Sequence, residues 1–241
     1  MSPLHQFEIH EIIPFNFNGL NLSFTNSALF MTLTLVVASL VMWAPMRRAA
    51  LVPGRWQNIS EMIFEFVSGV VRDVIGPAGL KYLPMVLTLF LIVLVGNLLG
   101  MLPYGFTITS HIIVTAFLGV FVFLVVTVMG FVNHGLHFLS LFAPSGVPKV
   151  MYLILIPIEI ISFLSRPITL AVRLCANMTA GHTVLKVFAM FSVMMGAAMG
   201  LAPMLLNALL VALELLVAVL QAYIFTILTC VYLKDAIELH H

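Results

Sequence analysis

The chain has 241 residues, of which 62% are apolar and only 8% are charged, and its formal net charge is +1. An ordinary soluble domain carries roughly a quarter charged residues, and a soluble chain of this size could not hide so much apolar surface from water. A water-soluble globular domain is therefore excluded, and lipid is the solvent on the outside of the fold.

Residues 1–26 are polar-aromatic and rich in Asn, and they read as an outer N-terminal segment. No Arg-rich amphipathic segment of the transit type precedes the first apolar run. Residues 27–45 form that run, long enough to span a slightly thinned or tilted bilayer, and it closes at Pro45 before Arg47, Arg48 and Arg55. Residues 57–75 are different in kind. Ile59, Met62, Ile63, Phe66, Val70 and Val74 recur at three- and four-residue steps, and Glu61, Glu65, Ser68 and Arg72 form the opposite stripe. This spacing predicts an amphipathic helix that is too polar to span and lies along the membrane surface or packs on other helices, with Asn58 as its cap and Glu61 three residues on. Gly76, Pro77 and Gly79 end it.

Residues 82–103 make a second span, interrupted only by Asn97, which reads equally as a polar tie between spans or a border of an ion path. Residues 111–132 make a third, without any charge, and His134 and His137 follow it. That His pair has no acidic or Cys neighbour, so it reads as interfacial histidine and no metal site is expected. Residues 149–195 and 201–235 are two apolar stretches well beyond the ~20 residues that cross a bilayer, so they should be strongly tilted or extend beyond it. The sequence thus predicts a single all-α integral membrane domain with five crossings and one surface helix. Cys175 and Cys230 lie in apolar stretches and should stay reduced. The fifteen methionines lack regular clustering and read as packing. His240 and His241 close the chain and are assigned no role.

Charge orients this scheme. The first 46 residues contain no Lys or Arg. With the N-terminus outside, five crossings put Arg47, Arg48, Arg55, Arg72, Lys81, Lys149 and Lys234 on the inner side, as the positive-inside rule requires. The C-terminus then lies in the cytoplasm.

Charges within the spans carry the functional information, because each costs about 2.5–3.5 kcal/mol at the bilayer centre on the insertion scale. In the fourth span Glu159, Ser162, Arg166, Thr169, Arg173 and Asn177 follow at steps of three and four, which is one narrow helical stripe. In the last span Asn207, Glu214 and Gln221 lie seven apart and share a face, and His182 and Lys186 prolong the polar character after Arg173. Glu159 with Arg166, or Glu214 with Lys186, could be a structural ion pair. Two parallel polar stripes exceed what stability requires, however, and intramembrane ionisable residues are functional candidates by default. The expectation is an ion pathway.

The run Arg173-Leu174-Cys175-Ala176-Asn177-Met178-Thr179-Ala180-Gly181-His182 resembles the signature of the a subunits of F-type ATP synthases. Leu220-Gln221-Ala222-Tyr223-Ile224-Phe225 after Glu214, and Asn97-Leu98-Leu99-Gly100-Met101-Leu102-Pro103, are similar to further stretches of that family. The resemblance implies a non-catalytic stator in the Fo sector, beside a ring of c subunits that each carry one membrane carboxylate. Protons would enter by one half-channel, ride the ring and leave by a second. Arg173 would stand between the two as the essential rotor-facing charge, with His182 and Glu214 in the outer half-channel, Gln221 near Arg173, and Glu159 near the inner half-channel. Asn177 and Asn207 would border the pathway. The implied partners are the c ring, the peripheral-stalk b subunits, other synthase subunits and the bilayer, with no cofactor and no nucleic acid. The implied place is a bacterial inner membrane, the mitochondrial inner membrane being the alternative. Some bacterial members exchange the acid and the histidine between the positions of His182 and Glu214, and the arrangement here resembles mitochondrial and α-proteobacterial forms. Cys175 stands where a larger residue is common. A secondary transporter and a structural scaffold are the competing readings. No internal inverted repeat supports the first, and the two polar stripes oppose the second.

Overall fold

In lipid the backbone has no hydrogen-bond partner but itself, so long apolar runs close into helices. The computed structural model describes residues 9–14, 16–17, 20–21, 23–47, 50, 53–102, 105–142, 151–196 and 200–237. Helix α1 spans Asn26–Met46 and starts on Thr25, whose hydroxyl accepts the Ala28 N–H at 3.3 Å. Helix α2 is Arg55–Ile75, α3 Leu83–Gly100, α4 Ile112–His134, α5 Tyr152–Met194 and α6 Leu201–Ile237. Tight 3-10 turns, Pro77–Tyr82 and Ile108–Ser110, lead into α3 and α4. Ahead of α1, Glu11–Ile13 pairs antiparallel with Phe24–Thr25, and Asn16–Phe17 pairs with Leu20–Asn21. The Lys149 end of the fourth span and the closing histidines lie outside the described residues.

Among the described residues five helices are long and apolar enough to cross a membrane, and the sixth, α2, is amphipathic. At 1.5 Å per residue α5 and α6 are about 65 and 55 Å long, roughly twice a hydrocarbon core. Pro157 and Pro167 sit inside α5, where each removes one backbone donor and allows the long helix to bend. Helix α5 packs between α4 and α6, while α6 also touches α2, α3 and α4 and so forms the hub of the bundle. The inner surface is built from compact side chains, Val67 and Val71 of α2, Val86 and Val93 of α3 and Val122 of α4, with Leu174 and Met178 of α5. Large apolar groups such as Ile113, Phe117, Val132 and Leu153 stay exposed, as a lipid solvent permits.

Two local expectations change in α2. The helix begins on Gly54 rather than Asn58, whose own N–H already bonds the Gly54 carbonyl at 2.9 Å. Glu61 accepts from the Gln57 side chain at 2.8 Å instead of closing a capping box. The buried face is also rotated. Ser60, Val67, Ser68, Val71 and Ile75 turn inward, and Ile59, Met62 and Phe66 of the expected apolar stripe are exposed. Small residues let the backbones approach, and the Ser60 hydroxyl donates to the Val41 carbonyl of α1 at 2.6 Å.

Arg166 also departs from the expected stripe. Its guanidinium meets Asp235 of α6 at 2.9 Å and lies over the rings of Tyr232 and Phe163, at 4.8 and 5.4 Å from their centroids. Asp235 is thus the partner that the sequence reading gave to Glu159. Asp235→Asn leaves a partly buried guanidinium without its anion, and should lower stability by about 1–2 kcal/mol, between the exposed and buried limits for ion pairs. Thermal unfolding of the purified complex measures this, and an unchanged midpoint would show that the two ring faces hold Arg166 unaided.

Candidate functional site

Helices α5 and α6 run antiparallel, and two contacts set their register: Arg166 with Asp235, and His182 with Glu214. Arg173 lies between them, about 13 Å along α5 from His182. Gln221 sits between the same contacts on α6, one heptad from Glu214.

The polar residues of α5 divide between two faces. Ser162, Thr169, Arg173 and Asn177 are exposed on the outside of the bundle, where the small Ala176 and Ala180 keep the surface low around the guanidinium. Among the described residues, no carboxylate pairs with Arg173. Glu159 is half-buried two turns from the Tyr152 end of the helix. His182, one turn past Met178, points inward and is buried.

The inward site joins three elements. His182 Nδ1 lies 3.3 Å from Glu214 Oε1, an ion-pair distance that lacks the alignment of a hydrogen bond. Glu214 is only 5% exposed, and neither carboxylate oxygen has a hydrogen-bond partner among the described residues. Such a group is costly to bury in a fixed charge state, which suits one that gains and loses a proton. Gly181 makes the approach possible, because a Cβ there would stand 2.7 Å from Glu214 Oε1. On the other side of the ring, His182 Nε2 is 2.8 Å from the Thr107 hydroxyl. Lys186 is half-buried one turn on and makes no ion pair with Glu214. Asn207 is half-buried, with its Oδ1 enclosed and unpartnered among the described residues.

The third element is the connection between α3 and α4, which the sequence analysis did not single out. Its polar run Thr107-Ile108-Thr109-Ser110-His111 folds into the bundle. The Ser110 carbonyl accepts from Cys175 Sγ at 2.8 Å and from the Thr179 hydroxyl at 3.3 Å. Thr109 donates to Asn97 Oδ1 at 2.7 Å, and the fully buried Asn97 donates to the Ala218 carbonyl of α6 at 3.2 Å. Asn97 therefore ties α3 to α6 about one turn before Gln221. His111 stacks on Phe106 at 4.9 Å, and burial there pushes its imidazole below the ordinary value. Four hydroxyl or imidazole groups within five residues between two apolar spans were the signal for this element. Cys175 and Cys230 are both free. His134 is tied through Nε2 to the Ile237 carbonyl at 2.9 Å, in keeping with an interfacial histidine.

Chemically, the arrangement offers a fixed cation on an outer face and, inside the same helix pair, a buried carboxyl–imidazole couple able to bind and pass a proton. A guanidinium holds its charge under all relevant conditions, whereas a carboxyl and an imidazole can each bind and release a proton.

Comparison with known proteins finds relatives that match nearly the whole chain. The family described as ATP synthase A chain matches residues 28–234. A protein named ATP synthase subunit a from Mesorhizobium japonicum is 54% identical, the match covering 100% of this chain and 98% of that one. Proteins of the same name from Rhodospirillum rubrum and Allorhizobium ampelinum are 50% and 52% identical. These two matches cover 99% of both chains and 98% and 97% of the respective chains.

Proposed function

We propose that this chain, which belongs to the ATP synthase A chain family, is the proton-conducting stator of a membrane Fo sector, working against a ring of c subunits. The observation that carries this reading is the division of charge on α5. Among the described residues Arg173 stands exposed without an ion pair on one face, and the His182–Glu214 couple is enclosed on the other. An arginine in mid-span that meets only lipid is expensive, so the face that bears it is best read as covered by a partner of opposite charge. The membrane carboxylates of a c ring have that chemistry.

In this mechanism a proton from the outer side reaches the Glu214–His182 couple and passes to a ring carboxylate. The ring turns, and each carboxylate that comes to Arg173 is held ionised by the fixed charge. Its proton therefore leaves on the inner side, towards Glu159. The guanidinium cannot hand a proton on, and it repels hydronium, so it separates the two half-channels. Asn177, Asn207 and Gln221 line the path as hydrogen-bonding groups that do not trap charge. Each proton falling through 100 mV supplies about 2.3 kcal/mol, so several must pass for each ATP made. The nucleotide chemistry belongs to other subunits, and peripheral-stalk b subunits hold this chain against the torque. The membrane is a bacterial inner membrane, with the N-terminus outside and the C-terminus in the cytoplasm, as the distribution of Lys and Arg requires.

The test is ATP-driven acidification of inverted membrane vesicles in which this chain is the only a subunit. Acidification that collapses with an uncoupler is expected, and a complex that hydrolyses ATP without moving protons would overturn the reading. In the same assay Glu159→Gln should lower the rate by only about two- to threefold, because water near the helix end substitutes for its relay. That magnitude is small beside the 10²–10⁴-fold typical of an essential proton-transfer group. Complete loss would place Glu159 deep in the path.

A further inference from the structure

We infer that Thr107 is a positioning residue that fixes the tautomer of His182, so that Nδ1 is the atom that takes up the proton beside Glu214. This rests on the proposed proton path and adds an element that lies far from α5 and α6 in sequence.

The argument is a count of hydrogens. The Thr107 hydroxyl is 2.8 Å from His182 Nε2 and 3.3 Å from the Gly100 carbonyl oxygen. A hydroxyl has one hydrogen to give. Gly100 is the last residue of α3, where a helix leaves its carbonyls without intrahelical donors, and a carbonyl can only accept. The hydroxyl hydrogen therefore goes to Gly100, and the hydroxyl oxygen accepts from His182 Nε2–H. A neutral imidazole carries one ring hydrogen, so Nδ1 is left with its lone pair, and Nδ1 is the ring nitrogen 3.3 Å from Glu214 Oε1. When a proton passes from the Glu214 carboxyl to the ring, the O–H bond breaks and Nδ1–H forms. A carboxylate is then left beside an imidazolium whose other N–H is already accepted by Thr107. With the opposite tautomer Nδ1 would already be occupied and could not receive that proton.

The construction around Thr107 fits this role. Thr107 and His182 are 4% and 8% exposed, so water does not compete for the contact. A Cβ on Gly100 would lie 2.5 Å from the Thr107 hydroxyl oxygen, so the absence of a side chain there allows the close approach. The Ser110 hydroxyl donates to the Thr107 carbonyl at 2.7 Å and holds the residue in place. The charged or titratable groups beside His182 among the described residues are Glu214 from α6 and Lys186 one turn on along α5, and the α3 end and the 3-10 turn contribute none.

The experiment compares Thr107→Val, Thr107→Ser and Glu214→Gln in the assembled complex, by ATP-driven acidification of inverted vesicles across a pH series. Val keeps the shape and removes the hydroxyl, while Ser keeps the hydroxyl. Thr107→Val should lose about tenfold in rate and change the pH dependence, and Thr107→Ser should retain both the rate and the pH dependence of the wild type. Tenfold corresponds to about 1.4 kcal/mol in the barrier. If Thr107→Val does not assemble, Thr107→Ala removes the hydroxyl without adding bulk and is read in the same way. A normal rate and pH profile in the variant lacking the hydroxyl, with Glu214→Gln impaired, would overturn the inference alone. So would an equal loss in Thr107→Ser, since packing and not the hydroxyl would then matter. Normal transport in Glu214→Gln would instead overturn the proton path itself.

Discussion

Replacing Arg173 with alanine is expected to abolish ATP-driven proton pumping and ATP synthesis while the complex still assembles. The substitution should be mild for the fold. Arg173 is exposed, makes no ion pair among the described residues, and is flanked by Ala176 and Asn177 rather than by packed groups. An arginine at the centre of a span opposes insertion by about 2.5–3.5 kcal/mol, so its removal relieves the isolated chain. What is lost is the only fixed charge on that face of α5 between residues 167 and 183. In the proposed mechanism, nothing then forces a ring carboxylate to release its proton as it passes, and nothing repels hydronium between the two half-channels. Pumping should fall to background, and passive proton leak through the complex should rise. Vesicle acidification and uncoupler-sensitive leak, measured on complexes with normal subunit content, read both effects. Normal synthesis in this variant would mean that the face carrying Arg173 has no part in transport.

The second large effect is expected at Glu214. Glutamine has the same shape and still fits beside Gly181, but it cannot bind and release a proton. Glu214→Gln should therefore reduce pumping by two orders of magnitude or more, the usual scale for losing a proton-transfer group. Assembly should be retained, because neither carboxylate oxygen holds a hydrogen bond that the amide would forfeit among the described residues. The steady-state rate of vesicle acidification decides the matter. An unchanged rate would remove Glu214 from the path and leave His182 without a carboxyl partner.

The membrane helices were legible because hydropathy and length are nearly sufficient when lipid is the solvent. The last two helices, α5 and α6, end within a few residues of where the apolar runs do. The orientation of each helix was less legible, for the same physical reason. In water an apolar stripe points to the core, but beside lipid it can point either way. In α2 the larger side chains Ile59, Met62 and Phe66 face outward, and Ser60, Val67 and Val71 face in. Small size marked the inner face better than hydrophobicity did. At the candidate site, spacing identified α5 and α6 as polar, and the signature residues pointed to Arg173, His182 and Glu214. Spacing could not divide the stripe. Arg166 leaves it because Asp235 and two aromatic rings draw it to α6, and a periodicity along one helix carries no trace of its partners on another. Thr107 was hidden for the same reason. It lies in a connection, without helical period, and only the folding of that connection against α5 brings it to the imidazole.

The clasp of Arg166 on Asp235 has a mechanical meaning. Between it and the His182–Glu214 contact, about 24 Å along the helix, α5 is a beam held at both ends and, past Arg173, also by the bonds of Cys175 and Thr179 to the Ser110 carbonyl. The sag of such a beam under a sideways load grows as the cube of the distance between its supports. If the pin at Asp235 is lost, the support on that side of Arg173 moves further away and the same load displaces the guanidinium further. In the proposed mechanism, a charge that must meet each passing carboxylate at one height tolerates little of that, and the stiffness of this segment limits the torque that can be borne before the two charges slip past each other.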